Sequence, residues 1–177
     1  MDRHMDNREL VYGYSNNFLF RARSFLVHVE FVTAITNSTE LKDHIRAAID
    51  DLKRRFPTAQ IYLMGTSNGT HDTMALADYL SGRIAGQIHP PSLQQNASFD
   101  ARKYHNRQLI AHHRQVSCRR TPFSAAEVSH DHYRNDFIAL QGGTSAGAPC
   151  KALTLQGCSG VERETIEAIK KWIKQNS

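Results

Sequence analysis

At 177 residues with 40% hydrophobic and 22% charged side chains, the chain has the make-up of an ordinary globular domain, long enough to bury a sizeable core. Its net charge of +5 is mildly basic. The basic clusters, Lys53-Arg54-Arg55 and Arg119-Arg120 with Arg114 nearby, lack the aromatic interleaving of a nucleic-acid surface and read as solvated faces. No apolar run approaches a membrane span, and the opening MDRHMDNREL holds no signal-peptide core. No nucleic-acid or membrane partner is therefore expected, and the default compartment is the cytoplasm, or the periplasm if the N-terminus is truncated.

In chain order, residues 1–10 are expected to be disordered and 10–14 a weak strand. Residues 18–26 fit a helix with Phe18, Leu19, Ala22, Phe25 and Leu26 on one face. Residues 27–35, rich in β-branched and aromatic side chains, read as a strand. The clearest helix spans 38–56. There Leu41, Ile45, Ala48, Ile49, Leu52 and Phe56 recur on one face, between a capping Asn37 or Ser38 and Pro57. A strand at 59–64, a helix at 70–80 and a strand at 84–88 follow, the last halted by Pro90-Pro91. After a polar loop come a short strand at 108–111, a helix at 122–133, a strand at 136–140 and a closing helix at 161–173. Strands alternating with helices predict an α/β fold, a mostly parallel sheet with helices on both faces, in a single domain over 1–177.

Gly65-Thr66-Ser67-Asn68-Gly69 lies between the apolar run Ile61-Tyr62-Leu63-Met64 and a helical pattern. A Gly-x-Ser-x-Gly element between strand and helix is the setting of a nucleophile elbow. The serine sits on a strained backbone at the tip of a sharp turn, and side chains two residues to either side would crowd the neighbouring strand and helix. Ser67 is the candidate nucleophile. The alternative is a glycine-rich strand-to-helix connection without chemistry.

Ten histidines make candidate bases worth weighing. His112 and His113 fall at a strand end, on the edge where α/β sheets bind ligands, and each is a candidate substitute base set against a structural role. His71, one turn into the helix after Ser67, is expected to point back into the fold. His130 and His132, with Asp131 and Asp136 near them, are expected on a solvated face. A metal cluster of His112, His113 and Cys118 is rejected, because adjacent residues on a strand point to opposite faces. The cysteines, Cys118, Cys150 and Cys158, lack zinc-ligand spacing. No metal or cofactor is expected. The sequons at Asn37, Asn68 and Asn96 read as coincidence.

Three segments in order, IYLMGTSNGT, RQLIAHHRQVSCRRTPF and GGTSAGAPCKALTLQGCSGVERETIEAIKKWI, resemble a group of bacterial α/β-hydrolases over nearly the whole chain, from about Gly13 to Lys174. The resemblance implies an α/β-hydrolase-like fold and a serine hydrolase acting on a small-molecule ester or acyl substrate. Ser67 would attack a carbonyl, the Asn68 backbone N–H would supply an oxyanion donor, and an acid and a histidine further along would activate the serine. In that group the acid lies in a pattern like His-His-Arg-x-Asp-x-Cys, and the histidine in His-Gly-Phe-x-Gly-hydrophobic-Glu.

Carried over position by position, His112, His113, Arg114 and Cys118 match the first pattern, with Val116 in place of the acid. Gly157, Gly160, Val161 and Glu162 match the second, with Cys158 for its phenylalanine and Gln156 in place of the histidine. Valine cannot orient an imidazole, and a glutamine amide cannot take a proton from serine near neutral pH. The chain also reads as N-terminally shortened, with Val11-Tyr12-Gly13-Tyr14 at best a remnant of the upstream oxyanion loop. It is expected to be a degenerate paralogue or a fragment of a longer reading frame. Two functions follow: a hydrolase of weak activity, or a non-catalytic pseudoenzyme binding a small molecule or protein partner. Cys118 and Cys150 match cysteines of the group. A disulfide between them, which would favour an oxidising compartment, stands beside plain buried thiols.

Overall fold

The computed structural model describes residues 16–36, 42–66, 68–90 and 97–175. The expected disorder at 1–10, the strand and loop remnant at 10–14, the capping Asn37 and Ser38, Pro91, and Ser67 itself lie outside the described residues.

Helix α1 (Phe18–Leu26) has the expected bounds, and the Asn17 side chain caps it by accepting from the Leu19 N–H at 2.9 Å. Phe18 and Ala22 are buried, with Leu19, Phe25 and Leu26 packed around them. The strand expected over 27–35 does not form. Only an isolated bridge joins His28 to Phe31, and Val29 is 95% exposed, with Val27 and Val32 also largely exposed. The β-branched run supplies propensity, but propensity is packing against a neighbouring strand and cannot replace one. Helix α2 (Lys42–Arg55) buries Ile45 and Ile49, while Ala48 and Phe56 are exposed, so its apolar stripe is narrower than expected.

Next come β1 (Tyr62–Met64), α3 (Asn68–Ala75), α4 (Ala77–Leu80), β2 (Gly86–His89), β3 (Arg107–His113), α5 (Phe123–Tyr133), β4 (Asp136–Leu140) and α6 (Glu162–Lys174). The helix expected over 70–80 is two helices. The break falls at Leu76, three residues after Thr73, whose carbonyl accepts from the Gln87 side-chain amide at 2.6 Å. Strand β3 outruns its expected bounds because it is paired along its length, from Arg107 opposite Gly86 to His113 opposite Leu140.

The four strands form one fully parallel sheet in the order β1-β2-β3-β4. Side chains alternate across it. Tyr62, Met64, Ile88, Leu109, Ile138 and Leu140 face α1 and α6, packing with Phe18, Ile166, Ile169 and Trp172. On the other face, Ile61 and Leu63 meet Ile45 and Ile49 of α2 with Leu76, Leu80 and Ile84. Gln87, His89, Gln108 and His112 share that second face, below α3 and α5. The result is an α/β fold with helices on both faces of a parallel sheet.

At the strand starts, the Asp136 carboxylate accepts from Arg107 (3.0 Å) and from the Trp172 indole N–H (2.7 Å), with the Arg107 guanidinium stacked over that indole at 3.8 Å. This clasp ties the end of α6 to the sheet and leaves the strand ends to the elbow and the double histidine.

Candidate functional site

The elbow begins where β1 ends. The Gly65 N–H donates to the Ile88 carbonyl (3.1 Å), and the Thr70 hydroxyl donates to the Gly65 carbonyl (2.9 Å), drawing α3 back over the strand end. A Cβ on Gly65 would stand 2.3 Å from the Gly69 carbonyl oxygen and 2.5 Å from the Thr73 methyl. Only glycine fits there. A Cβ on Gly69 meets nothing within 4 Å among the described residues, so the crowding expected on both sides of the serine holds on one. Ser67 falls outside the described residues. Asn68 opens α3, which places its backbone N–H among the helix-start amides that have no intrahelical acceptor.

Behind the elbow lies a buried polar layer. The Gln87 amide donates to the Thr73 carbonyl, the Gln108 amide donates to the Gln87 side-chain oxygen (2.9 Å) and to Asn106 (3.0 Å), and His89 Nε2 meets the Gln108 oxygen at 3.0 Å. His89 Nδ1 lies 3.0 Å from the Thr73 hydroxyl, and the ring packs edge-on against Phe99. Burial pushes His89 down to about 4, against a smaller upward pull from Gln108, so the ring is neutral.

The double histidine ends β3, one ring on each face of the sheet. His112 Nδ1 lies 3.2 Å from the His113 carbonyl, and its ring packs against Phe123 of α5. A carbonyl only accepts, so Nδ1 carries a proton there. In His113 both nitrogens serve the backbone: Nδ1 accepts from the Gln115 N–H (3.1 Å) and Nε2 donates to the Gly142 carbonyl (2.7 Å). Val116 follows, half-buried, its N–H on the His113 carbonyl at 3.4 Å. Cys118 and Cys150 form a disulfide, tying the loop after β3 to the loop after β4.

Gln156 sits on a single 3₁₀ turn, Leu155–Gly157, packed against β3. A Cβ on Gly157 would come within 1.9 Å of the Ala152 carbonyl oxygen, and Arg21 holds the turn by donating to the Gly157 carbonyl (2.5 Å) and to Glu162 (2.7 Å). Gln156 is 7% exposed, and among the described residues nothing donates to its side-chain oxygen. Its neighbour Cys158 is buried as a free thiol, pushed up to about 12 by burial.

Other candidates fall elsewhere. His71, expected to point inward, is instead an exposed side chain 3.5 Å from Asp72, because its position on α3 faces away from the sheet. His130 is held by the Asn135 carbonyl (2.7 Å) and packs at a tilt against Phe137, while His132 is exposed. No group of three His, Cys, Asp or Glu able to hold a metal occurs among the described residues. No helix among them is long and apolar enough to cross a membrane. A cleft of about 500 Å³ lined by His28, Phe31, Lys170, Lys171 and Lys174 lies at the end of α6, remote from the elbow.

Sequence reasoning missed the layer of Thr73, Gln87, His89, Asn106 and Gln108. Its signal was two glutamines and a histidine at alternate positions of strands flanked by strands on both sides.

The sequence matches no protein-family model and no curated protein. The fold is similar to a solved structure, an alpha-beta serine hydrolase homologue from Coxiella burnetii, at a TM-score of 0.52 and 13% identity over 92% of this chain and 77% of that one. At that identity the likeness establishes the architecture, and the architecture is α/β-hydrolase-like.

Proposed function

We propose that the chain is a weak serine acyl hydrolase, with Ser67 as nucleophile and small-molecule esters or related acyl compounds as substrates. The observation that carries this reading is the elbow: a glycine boxed in by the Gly69 carbonyl and the Thr73 methyl, at the end of a parallel strand and two residues before Ser67. The Asn68 N–H, at the start of α3, supplies an oxyanion donor.

His112 suits the base better than His113. With Nδ1 on the His113 carbonyl, Nε2 is the nitrogen that would take the proton, on the sheet face that α3 and α5 cover, and that carbonyl orients the ring as a carboxylate does in a full triad. A neutral carbonyl stabilises the imidazolium less than a carboxylate. Strands β1 and β3, which lead to Gly65 and carry His112, are also two strand spacings or about 10 Å apart. With Val116 at the acid's position and Gln156 at the histidine's, little of the triad's contribution remains. Hydrolases stripped of triad members keep roughly 10³–10⁴ over water. The Cys118–Cys150 disulfide suits an oxidising compartment.

Hydrolysis of p-nitrophenyl butyrate by wild type, Ser67→Ala and His112→Gln tests the reading. Turnover lost in both variants supports it. A second reading, a pseudoenzyme binding a ligand that carries a hydrogen-bond donor, is favoured by the buried Gln156 oxygen, which has no partner among the described residues. Wild-type rates equal to those of Ser67→Ala and buffer would sink the hydrolase and leave that second reading.

A further inference from the structure

We propose that Thr73, Gln87, His89 and Gln108 form a directional hydrogen-bond relay that holds His89 as the Nε2–H tautomer and fixes the position of α3 on the sheet, making Thr73 and His89 positioning residues for the elbow. The functional part of this inference rests on the hydrolase reading above.

The direction of the relay follows from one fixed acceptor. The Thr73 backbone carbonyl can only accept, so the Gln87 group 2.6 Å from it is the amide nitrogen, and the Gln87 oxygen is turned toward Gln108. Gln108 therefore presents its nitrogen to Gln87, and to the Asn106 oxygen, and its own oxygen to His89 Nε2. That nitrogen must carry a proton. His89 is neutral, so Nδ1 holds the lone pair and faces the Thr73 hydroxyl at 3.0 Å, sharing that hydroxyl's single proton with the Thr70 carbonyl at the same distance. The relay thus starts at the Thr73 carbonyl and returns to the Thr73 hydroxyl. Reversing any one amide sets two acceptors or two donors face to face. All four side chains are buried, so no water substitutes for a lost partner.

Thr73 is also the residue whose methyl crowds Gly65, while Thr70, one turn earlier, bonds the Gly65 carbonyl. A shift of α3 therefore breaks the relay and the elbow's packing together. An apolar layer would hold the helix as firmly but at no one height, and a closed set of directional bonds selects one position.

Long-range ¹H–¹⁵N correlation spectra of histidine-labelled protein at pH 7 test the tautomer. Nε2–H at His89 is expected, and Nδ1–H or an imidazolium overturns the relay. Thr73→Val, which keeps the methyl and removes the hydroxyl, is expected to move the Asn68 and Gly69 amide resonances. It should also lower the ester kcat at least tenfold with KM little changed, and Thr73→Ser should recover part of both. Unmoved amides, with kcat within twofold of wild type, overturn the positioning role. If wild type does not turn over ester at all, the tautomer and the amide shifts still decide the relay, and the hydrolase reading alone has failed.

Discussion

The two faces of the sheet are built from alternate residues of the same strands, yet they hold α-helices by different means. Toward α1 and α6, Ile88, Leu109 and Leu140 meet Phe18, Ala22, Ile166, Ile169 and the Trp172 ring in an apolar interior, with the indole N–H turned out to Asp136 at the strand starts. Toward α3 and α5, Gln87, His89, Gln108 and His112 occupy the intervening positions, and each of them is buried too. The first face gains from area removed from water and tolerates any close-packed arrangement of similar volume. The second gains little net energy per bond and penalises every arrangement but one. The polar face is the one that carries the elbow helix, where position matters more than adhesion.

Adjacent residues of β3 give the sharpest contrast and the largest effects. Leu109→Ala should cost about 2–5 kcal/mol, as a cavity in a packed apolar interior. Gln108→Leu adds apolar volume yet should cost a comparable amount. It orphans His89 Nε2–H, the Gln87 oxygen and the Asn106 oxygen at roughly 1–3 kcal/mol for each group that stays dry. Urea midpoints measure both. A Gln108→Leu variant as stable as wild type would break the comparison, because the polar layer would then be no more demanding than the apolar one.

The disulfide acts on the edge where the faces meet. Cys118 and Cys150 are 32 residues apart in sequence, and a loop of that size corresponds to roughly 3–4 kcal/mol of chain entropy removed from the unfolded state. Reduction by dithiothreitol, or the pair Cys118→Ser and Cys150→Ser, should lower the urea midpoint accordingly. Cys158 provides the control. Its buried thiol, pushed up to about 12, should resist iodoacetamide in the folded protein under oxidising conditions and react after unfolding.

Acid should separate the faces without any mutation. His89 in the folded protein is pushed down to about 4 from its ordinary 6.5. As pH falls, the unfolded chain takes up a proton first, so the His89 contribution is lost from about pH 6.5 down to about pH 4 and is constant below that. The full effect is roughly 3 kcal/mol. Urea midpoints at pH 7, 5.5 and 4 should fall in wild type and fall less in His89→Gln, which cannot titrate. Equal slopes in the two proteins would remove His89 as the source.

Much of the apolar face was legible in the sequence because its signal is periodic. Phe18 and Ala22 on α1 and the bounds of β4 follow from spacing alone, as do Ile45 and Ile49 of α2 on the other face. The segment at 27–35 was misread for the same reason in reverse: Val27, Val29 and Val32 have strand composition, but whether a sheet edge stands beside them is a property of the whole fold. The polar layer was illegible at β2. Gln87 and His89 alternate with Ile88 as in any half-exposed strand, and only pairing on both sides with a helix overhead buries them. At the elbow, Gly65 was read correctly and Gly69 was not, since a glycine's spacing does not say which neighbour approaches it. The Cys118–Cys150 pairing stood open beside free thiols until the two loops were seen to meet.

The smallest effect tests whether the two faces are separable. Ile88 lies between Gln87 and His89 on β2 and is 1% exposed on the apolar side. Ile88→Val removes one methylene and should cost about 0.5–1.5 kcal/mol. Because its side chain points away from the relay, the His89 tautomer and the Asn68 and Gly69 amide resonances should stay where they are in wild type. If a one-methylene change on the apolar face moved the His89 ring signals as far as Thr73→Val does, the position of α3 would be set through the backbone of β2 by packing on both sides. The division of labour between the faces would then be lost, even with every hydrogen bond of the relay intact.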